Sequence, residues 1–140
     1  MTESQLFQFL NKRVHEIWIK GQIHSCRVEN WRKSGTADWN LCVPIGEFWF
    51  ELKVGHNKIK FQEGQIAWLY RRWRAGGRSY VVFYDKGERY IKFYEGLKAM
   101  ELAKNGSRNV EDCYILEPSA SKHKIFECLV YLHEWRSSFA

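Results

Sequence analysis

The chain has 140 residues, of which 45% are hydrophobic and 16% aromatic, and its formal net charge is +6. This length and apolar content can build one buried core, so we expect a single domain over residues 1–140. The sequence has no apolar run long enough to span a membrane and no signal peptide at its start, which predicts an intracellular, cytoplasmic protein without a membrane partner.

The cysteines and histidines argue against a disulfide framework and against structural zinc. The four cysteines are widely spaced and form no Cys-x-x-Cys pair, and the five histidines form neither a His-Glu-x-x-His motif nor a cluster with cysteine. We therefore expect reduced thiols and no zinc site. The positive net charge favours a polyanion as the partner.

The chain opens with an amphipathic pattern. Residues 3–20 repeat apolar side chains at helical spacing, with Thr2 before them as an N-cap and Gly21 after them as a stop. Glu3 lies in the first turn, where an acid favours the helix dipole. The sequence therefore predicts a first helix that buries one face.

A strand and a basic loop follow this helix. Residues 23–28 predict the first strand, and residues 29–34 form a polar loop that carries Trp31, Arg32 and Lys33. Exposed loop charges are usually only solvated. The alternative is that this loop contacts a nucleic-acid backbone, which makes Arg32 and Lys33 candidate DNA-binding residues.

The next stretch predicts a β-hairpin. Residues 39–43 and 48–54 each alternate apolar with polar side chains, and residues 44–47 fit a four-residue loop. Each strand therefore has one apolar face and one face that carries charges. A slip of one residue would exchange these faces, so the alternation restricts the pairing.

The predicted register gathers charged side chains on the second face. If Val43 pairs with Phe48, Asp38 falls opposite Lys53 and diagonal to Glu51. Mg²⁺ favours oxygen ligands and usually takes one or two protein carboxylates. Such an ion polarises a phosphodiester, and a neighbouring lysine can stabilise the charge of the transition state.

A basic helix and a second apolar strand come next. Residues 62–75 have helical spacing and end at Gly76, with Gln65 in the first turn, and residues 79–84 predict a strand parallel to 48–54. Positive side chains precede the helix and crowd its second half. These candidate DNA-binding residues are Lys58, Lys60, Arg71, Arg72 and Arg74.

The last third of the chain predicts four further elements without a known motif. Residues 89–94 are expected as an edge strand, 95–103 as a short helix, 110–116 as a strand and 121–137 as a helix capped by a serine. This part could thicken the core, contact DNA or form a dimer face. Its candidate dimer contacts are Ile125, Leu129 and Trp135.

The ordered set of motifs resembles the PD-(D/E)xK nuclease superfamily, and within it the VRR-Nuc group. That group has a Gly-x-Pro-Asp turn, a strand with Glu-x-Lys, a helix with Gln in its first turn, and glycine before a valine-rich strand. The matching residues are Gly35-Thr36-Ala37-Asp38, Glu51-Leu52-Lys53, Gln65, Gly76-Gly77 and Tyr80-Val81-Val82-Phe83. The resemblance covers residues 3–84, and Ala37 replaces the proline while the acid stays in place.

This resemblance implies an α/β, restriction-endonuclease-like fold, with a mixed central sheet flanked by helices. The nuclease core would be residues 3–84, extended at the C-terminus by 85–140. No nucleotide cofactor is implied.

The resemblance also implies a metal site. Asp38 and Glu51 would bind Mg²⁺, or Mn²⁺ in its place, with help from the Leu52 carbonyl. Lys53 would position or activate a water, and Gln65 would support the site. An acid of the first helix would be a further ligand; Glu3 is the better match and Glu16 the alternative.

The implied function is an endonuclease that hydrolyses phosphodiester bonds in DNA. Stand-alone members, such as those of phages and viruses, resemble enzymes that cut branched DNA or Holliday junctions as homodimers, and a phage enzyme would act inside the host cell. Two alternatives remain at this point. One is a sequence-specific restriction-type endonuclease, and the other is a DNA-binding or adaptor protein that keeps the fold without catalysis.

Overall fold

The computed structural model describes residues 1–28 and 35–139, which form a mixed α/β structure with one six-stranded sheet. The helices are α1 (Glu3–Ile17), α2 (Gln65–Arg74), α3 (Ala99–Asn105) and α4 (Lys122–Ser137). The strands are β1 (His24–Arg27), β2 (Trp39–Val43), β3 (Gly46–Gly55), β4 (Ser79–Asp85), β5 (Tyr90–Glu95) and β6 (Tyr114–Leu116). Among the described residues, no helix combines the length and the apolar character needed to cross a membrane.

The strands lie side by side in chain order. Strands β3 and β4 are parallel, while the other neighbouring pairs are antiparallel. A parallel pair needs a crossover, which α2 supplies. This confirms the predicted parallel strand over 79–84. The expected edge position of β5 is wrong, because β6 pairs with its outer side.

The hairpin of β2 and β3 is tighter than predicted. Val43 pairs with Gly46 rather than with Phe48, so the predicted register is wrong by two residues. The loop consists of Pro44 and Ile45, and Gly46 follows it with a φ of 153°. A side chain at Gly46 would collide with the His133 ring of α4, so packing against this helix requires glycine there.

The shift of two residues preserves the faces of both strands because side chains alternate with a period of two. It changes the neighbours of the carboxylates. The ladder ends with Trp39 opposite Phe50, and one more step places Asp38 across from Glu51 instead of Lys53. The two acids are therefore direct neighbours at the open end of the hairpin.

Helix α1 begins as predicted and ends early. The Thr2 hydroxyl accepts a hydrogen bond from the Gln5 backbone N–H, and the Gln5 side chain accepts one from the Thr2 N–H, which forms a capping box. The helix ends at Ile17 because Trp18 is extended and its ring contacts Phe126 of α4. Gly21, the predicted stop, lies in a separate 3-10 turn (Lys20–Gln22).

Several other predicted boundaries were too generous. Helix α2 starts at Gln65 because Gly64 has a positive φ of 87°. The expected helix over 95–103 is a 3-10 turn (Gly96–Lys98) followed by α3. Only the last three residues of the predicted strand over 110–116 form β6. Helix α4 begins after Ser121, whose hydroxyl accepts a hydrogen bond from the Lys124 backbone N–H.

Helices pack against both faces of the central strands of the sheet. Helices α1 and α4 contact each other and cover one face, where Phe48, Phe50 and Leu52 of β3 point. Helices α2 and α3 cover the other face, where Val81 and Phe83 of β4 point. Glu51 and Lys53 lie on this second face, because they alternate with Leu52. The charged face of β3 is therefore covered by protein.

Helix α4 is an integral part of the core, which corrects the expected dimer contacts. Ile125 and Leu129 are only 2% and 4% exposed and belong to the core under α1 and the sheet. Trp135 is partly buried and donates a hydrogen bond from Nε1 to Glu95 at 3.2 Å. Ile125 and Leu129 are therefore core residues and not dimer contacts, whereas Trp135 remains partly exposed.

Candidate functional site

Four polar side chains meet where the hairpin opens. Asp38 directly precedes β2, Glu51 and Lys53 lie on β3, and Gln65 is the first residue of α2. The hydrogen bonds between these three elements join residues that are 12 to 14 positions apart in the sequence. The tertiary fold therefore brings the three elements together. These four residues are hereafter called the carboxylate site.

The two acids are held by the backbone of the opposite strand. The Asp38 N–H donates a hydrogen bond of 3.2 Å to Glu51 Oε1, and the Leu52 N–H donates one of 3.1 Å to Asp38 Oδ2. In an antiparallel ladder the N–H and C=O of one residue point to the same side. The Leu52 carbonyl therefore leaves β3 on the same side as the N–H that contacts Asp38.

Gln65 links the acid to the lysine. Its Nε2 donates to Glu51 Oε2 at 2.8 Å, and its Oε1 accepts from Lys53 Nζ at 3.1 Å. The amide orientation is fixed by the backbone, because the Gln62 N–H also donates to Gln65 Oε1 at 2.8 Å. Lys53 Nζ lies 3.3 Å from Glu51 Oε2. Gln65, which the sequence predicts as a supporting residue, thus contacts both Glu51 and Lys53, and its role in the site stays a prediction.

Burial changes the chemistry of Glu51. The residue is only 1% exposed, and burial together with the neighbouring Asp38 charge raises its pKa to about 8, although Lys53 opposes the shift. The single positive charge of Lys53 does not compensate for the burial of Glu51 and the negative charge of Asp38. Strong perturbation of this kind concentrates at functional sites, because ligands and reactions need groups that are not fully compensated.

Lys53 is buried as well, at 8% exposure. Its ammonium lies 5.2 Å from the centre of the Phe61 ring, in the geometry of a cation–π contact. Sequence reasoning missed Phe61, which precedes α2 in a segment without regular structure. The contact between Phe61 and Lys53 depends on the tertiary fold, and no local sequence pattern predicts it.

Two glycines bring the loop before Asp38 against the start of α2. Gly35 has a positive φ of 76°, and a side chain on it would collide with the Gly64 carbonyl. The close approach explains why glycine stands three residues before Asp38: it allows the acid and Gln65, which follows Gly64, to face the same point. The Gly-x-x-Asp motif therefore has a structural reason here.

The structure distinguishes the two acids of α1. Glu3 is a surface residue whose carboxyl is partly shielded; this shielding raises its pKa, and its charge interacts with Lys53, Asp38 and Arg27. Glu16 instead forms an ion pair of 2.7 Å with Arg13. Glu3 is therefore close enough for its charge to influence Asp38 and Lys53, although it forms no group of metal ligands with Asp38 and Glu51, whereas Glu16 lies at the other end of the helix.

The predicted DNA-binding residues are dispersed. Arg32 and Lys33 lie outside the described residues. Lys58 and Lys60 are exposed in the segment between β3 and α2, close in the chain to the carboxylate site. The arginines of the second half of α2 point outward and are exposed; they are Arg71, Arg72 and Arg74.

Two of these arginines already have aromatic partners. The Arg72 guanidinium lies 5.3 Å from the Trp49 ring and 5.5 Å from the Trp68 ring. Arg74 lies 5.8 Å from the Tyr70 ring. Arg74 also donates a hydrogen bond from Nη1 to the Tyr70 hydroxyl at 3.4 Å, and Arg72 Nη2 lies 3.9 Å from Glu47 Oε1. These contacts orient the two side chains, and the other N–H groups of each guanidinium remain able to donate to a ligand.

In the described part of the chain, no group of three or more His, Cys, Asp or Glu side chains is arranged to hold a metal ion. A cation at the carboxylate site would have Asp38 and Glu51 as its carboxylate ligands, a number that suits Mg²⁺. Comparisons of the chain with protein families, with curated proteins and with solved structures find no match.

Proposed function

We propose that the chain is a Mg²⁺-dependent endonuclease that hydrolyses phosphodiester bonds in DNA, with a restriction-endonuclease-like fold of the PD-(D/E)xK type. One observation carries the proposal. Asp38, the Glu51–Lys53 pair of β3 and Gln65 come from three separate parts of the chain and converge in one hydrogen-bonded network around a buried acid. The β3–α2–β4 crossover, which presents Gln65 to the Glu-x-Lys strand, agrees with this type of fold.

The donor set fits a hard divalent cation. Asp38 and Glu51 supply carboxylate oxygens at one point, and the raised pKa of Glu51 marks a local deficit of positive charge. We propose the Leu52 carbonyl, which leaves β3 on the same side as the Leu52 N–H, as a further oxygen ligand. Glu3, whose charge interacts with Asp38, is the further candidate ligand. Mg²⁺ bound there would polarise the phosphodiester and lower the pKa of a water.

The chain's own residues account for positioning and charge. Lys53 carries a positive charge beside the two acids and can donate a hydrogen bond to a water or to a phosphate oxygen. Gln65 fixes the lysine and Glu51 relative to each other through its two hydrogen bonds. The water attacks phosphorus, and the bond from phosphorus to the leaving oxygen breaks.

The charges support a polyanionic substrate. The net charge is +6, and exposed lysines and arginines lie near the carboxylate site and along α2, while no separate element for reading base edges is evident in the described residues. Such a surface suits recognition of backbone and shape. We therefore propose branched DNA, such as a four-way junction, as the preferred substrate of a homodimer.

The first experiment tests nuclease activity. Plasmid DNA should be nicked with Mg²⁺ or Mn²⁺ and remain intact with EDTA. Lys53→Ala should be inactive, whereas Lys92→Ala, which removes a lysine of similar burial from β5, should keep activity. DNA binding without cleavage under any of these conditions would identify a non-catalytic DNA-binding protein instead.

The second experiment tests the branched substrate. Light scattering should give a dimer, and competition between a four-way junction and a linear duplex of the same arms should favour cleavage of the junction. A monomer that cuts both substrates equally well would contradict the junction proposal and leave the nuclease proposal standing.

A further inference from the structure

Beside the carboxylate site lies a cluster of two tryptophans and an arginine, hereafter the tryptophan cluster: Trp49, Trp68 and Arg72. The two rings are in edge contact at 5.1 Å between centroids, with an angle of 63° between their planes. Both tryptophans are partly exposed, and the exposed Arg72 guanidinium lies over both rings. Aromatic rings and a planar cation thus share one open surface.

The cluster is aligned with the carboxylate site on both elements that build it. Trp49 lies two residues before Glu51 on the same face of β3, a separation of about 6.6 Å along the strand. Trp68 follows Gln65 by three residues, which places it on the same side of α2. A phosphate at Glu51 would therefore have the tryptophan cluster within reach of its neighbouring nucleotide.

The sheet next to the cluster is open. Trp49 pairs with Asn40 of β2, which in turn pairs with Cys26 of β1, so these three residues share a face. Cys26 and the neighbouring Cys42 are exposed on it. The described helices cover this face of the sheet from β3 onwards, and a strand of nucleic acid leaving the carboxylate site can pass over β2 and β1.

One atom of the cluster lacks a partner. Trp49 Nε1 is buried and has no hydrogen-bond acceptor among the described residues. Buried donors are nearly always paired in folded proteins, so an unpaired one needs an explanation. A ligand oxygen that reached the cluster as Arg72 turned aside would supply the missing acceptor.

We propose that the tryptophan cluster binds an unpaired nucleobase next to the scissile phosphate. The base stacks on the partly exposed tryptophan rings, and Arg72 contacts the adjoining phosphate. Stacking on aromatic rings accepts any base and requires that the base is not paired. This inference rests on the proposed nuclease function and specifies its substrate: DNA with unpaired nucleotides at the cut, such as a branch point.

The test measures binding in EDTA, where no cleavage occurs. Fluorescence anisotropy compares a fully paired duplex with the same duplex carrying a single-stranded branch. Trp68→Ala should weaken binding of the branched DNA by about five- to a hundredfold and change duplex binding by less than about twofold. Trp68→Phe keeps an aromatic ring and should restore most of the affinity. Tyr90→Ala, which removes an exposed aromatic ring from β5, is the control and should change neither affinity.

A second pair of variants changes the net charge of the protein by the same amount. Arg72→Gln and Arg74→Gln each remove one positive charge from α2, but only Arg72 lies over the two tryptophans. Arg72→Gln should reduce the preference for the branched DNA, whereas Arg74→Gln should lower both affinities equally. Equal effects of these two variants, or equal effects of Trp68→Ala on both DNAs in a folded protein, would overturn the inference.

The two proposals can fail separately. If the wild type cuts plasmid with Mg²⁺ but Trp68→Ala binds branched DNA normally, only the base-stacking inference fails. If the wild type cuts no DNA but Trp68→Ala loses branched DNA selectively, the stacking site stands and the nuclease function fails.

Discussion

The sheet contains two buried acid–lysine clusters, and their acids differ in pKa. Glu51 and Lys53 form one on β3, while Asp85 and Lys92 form the other on β4 and β5. Burial opposes ionisation of both acids. The pKa of Glu51 is nevertheless raised to about 8, and that of Asp85 is lowered to about 2.

The hydrogen-bond donors explain this difference. Asp85 Oδ1 accepts hydrogen bonds from the backbone N–H groups of Gly87 and Glu88, at 2.8 and 3.0 Å. Its two oxygens also accept from the Arg108 guanidinium, at 3.1 and 3.2 Å. These donors outweigh burial and stabilise the β4–β5 turn. The charge of Asp85 is compensated by its hydrogen-bond donors, which is typical of a structural residue. Glu51 lies beside a second carboxylate instead, and a bound cation would stabilise its ionised form.

The largest expected effect is a loss of DNA cleavage when Asp38 or Glu51 is replaced, but not when Asp85 is replaced. Asp38→Asn and Glu51→Gln should each reduce plasmid cleavage by about a thousandfold or more while DNA binding is retained, because each removes a ligand charge with little change of shape. Cleavage rates and anisotropy measure the two effects. Asp85→Asn is the control, and its folded fraction should cut normally. Activity of both site variants would place the catalytic centre elsewhere.

The two lysines should differ in the same way. Lys53→Ala should lower turnover by about a hundred- to a thousandfold, because it removes a charge that stabilises the transition state, and metal binding should persist. Calorimetry with Mn²⁺ measures the binding. Lys92→Ala should bind Mn²⁺ and cut DNA like the wild type. Loss of Mn²⁺ binding in folded Lys53→Ala would contradict a purely catalytic role.

The raised pKa of Glu51 predicts the pH dependence of stability. The folded-state pKa of about 8 exceeds the ordinary value of 4.5, so the unfolded chain loses this proton first and stability falls as the pH rises between these values. In EDTA, the free energy of unfolding of the wild type should therefore fall between pH 4.5 and 8 by on the order of 3 kcal/mol relative to that of Glu51→Gln, which has no titrating group at this position. Urea unfolding at several pH values measures this difference. Parallel curves would disprove the shift.

Asp85 should show the opposite sign. Its folded-state pKa of about 2 lies below the ordinary 3.8, so its contribution is fully present above pH 3.8 and is lost as the pH falls towards 2. Asp85→Asn should cost about 2 kcal/mol at pH 7, because Arg108 and Lys92 lose their shared negative charge and an NH2 group replaces one of the two accepting oxygens. Thermal unfolding at pH 7 and at pH 3 tests this, and an equal loss at both values would count against the charge as the cause.

The smallest effect concerns the salt dependence of DNA binding. Replacing Arg71, Arg72 and Arg74 together by Gln should flatten the slope of log K against log salt by about 1 to 3, since each lost phosphate contact removes about 0.9. Anisotropy titrations at several salt concentrations measure the slope. An unchanged slope would assign the DNA track to another surface, with the loop over residues 29–34 as the next candidate.

Local patterns were sufficient for much of the fold. The Thr2 cap and the faces of β2 and β3 follow from spacing, because they depend on neighbours in the sequence. The parallel orientation of the strand over 79–84 follows from the helix that connects it to β3. The register of the hairpin did not follow. Alternation excludes a shift of one residue and permits a shift of two, and the choice depended on the close packing of Gly46 against α4.

The sequence by itself determined which groups are available to the candidate site: Asp38 after a glycine turn, Glu51 and Lys53 on one face, and Gln65 at a helix start. Only the tertiary structure decided their state. It bridged Glu51 and Lys53 through Gln65, covered them with Phe61 and α2, and raised the pKa of Glu51. The physical reason is that spacing is a local property of the chain, whereas solvation and charge depend on every atom packed around a group.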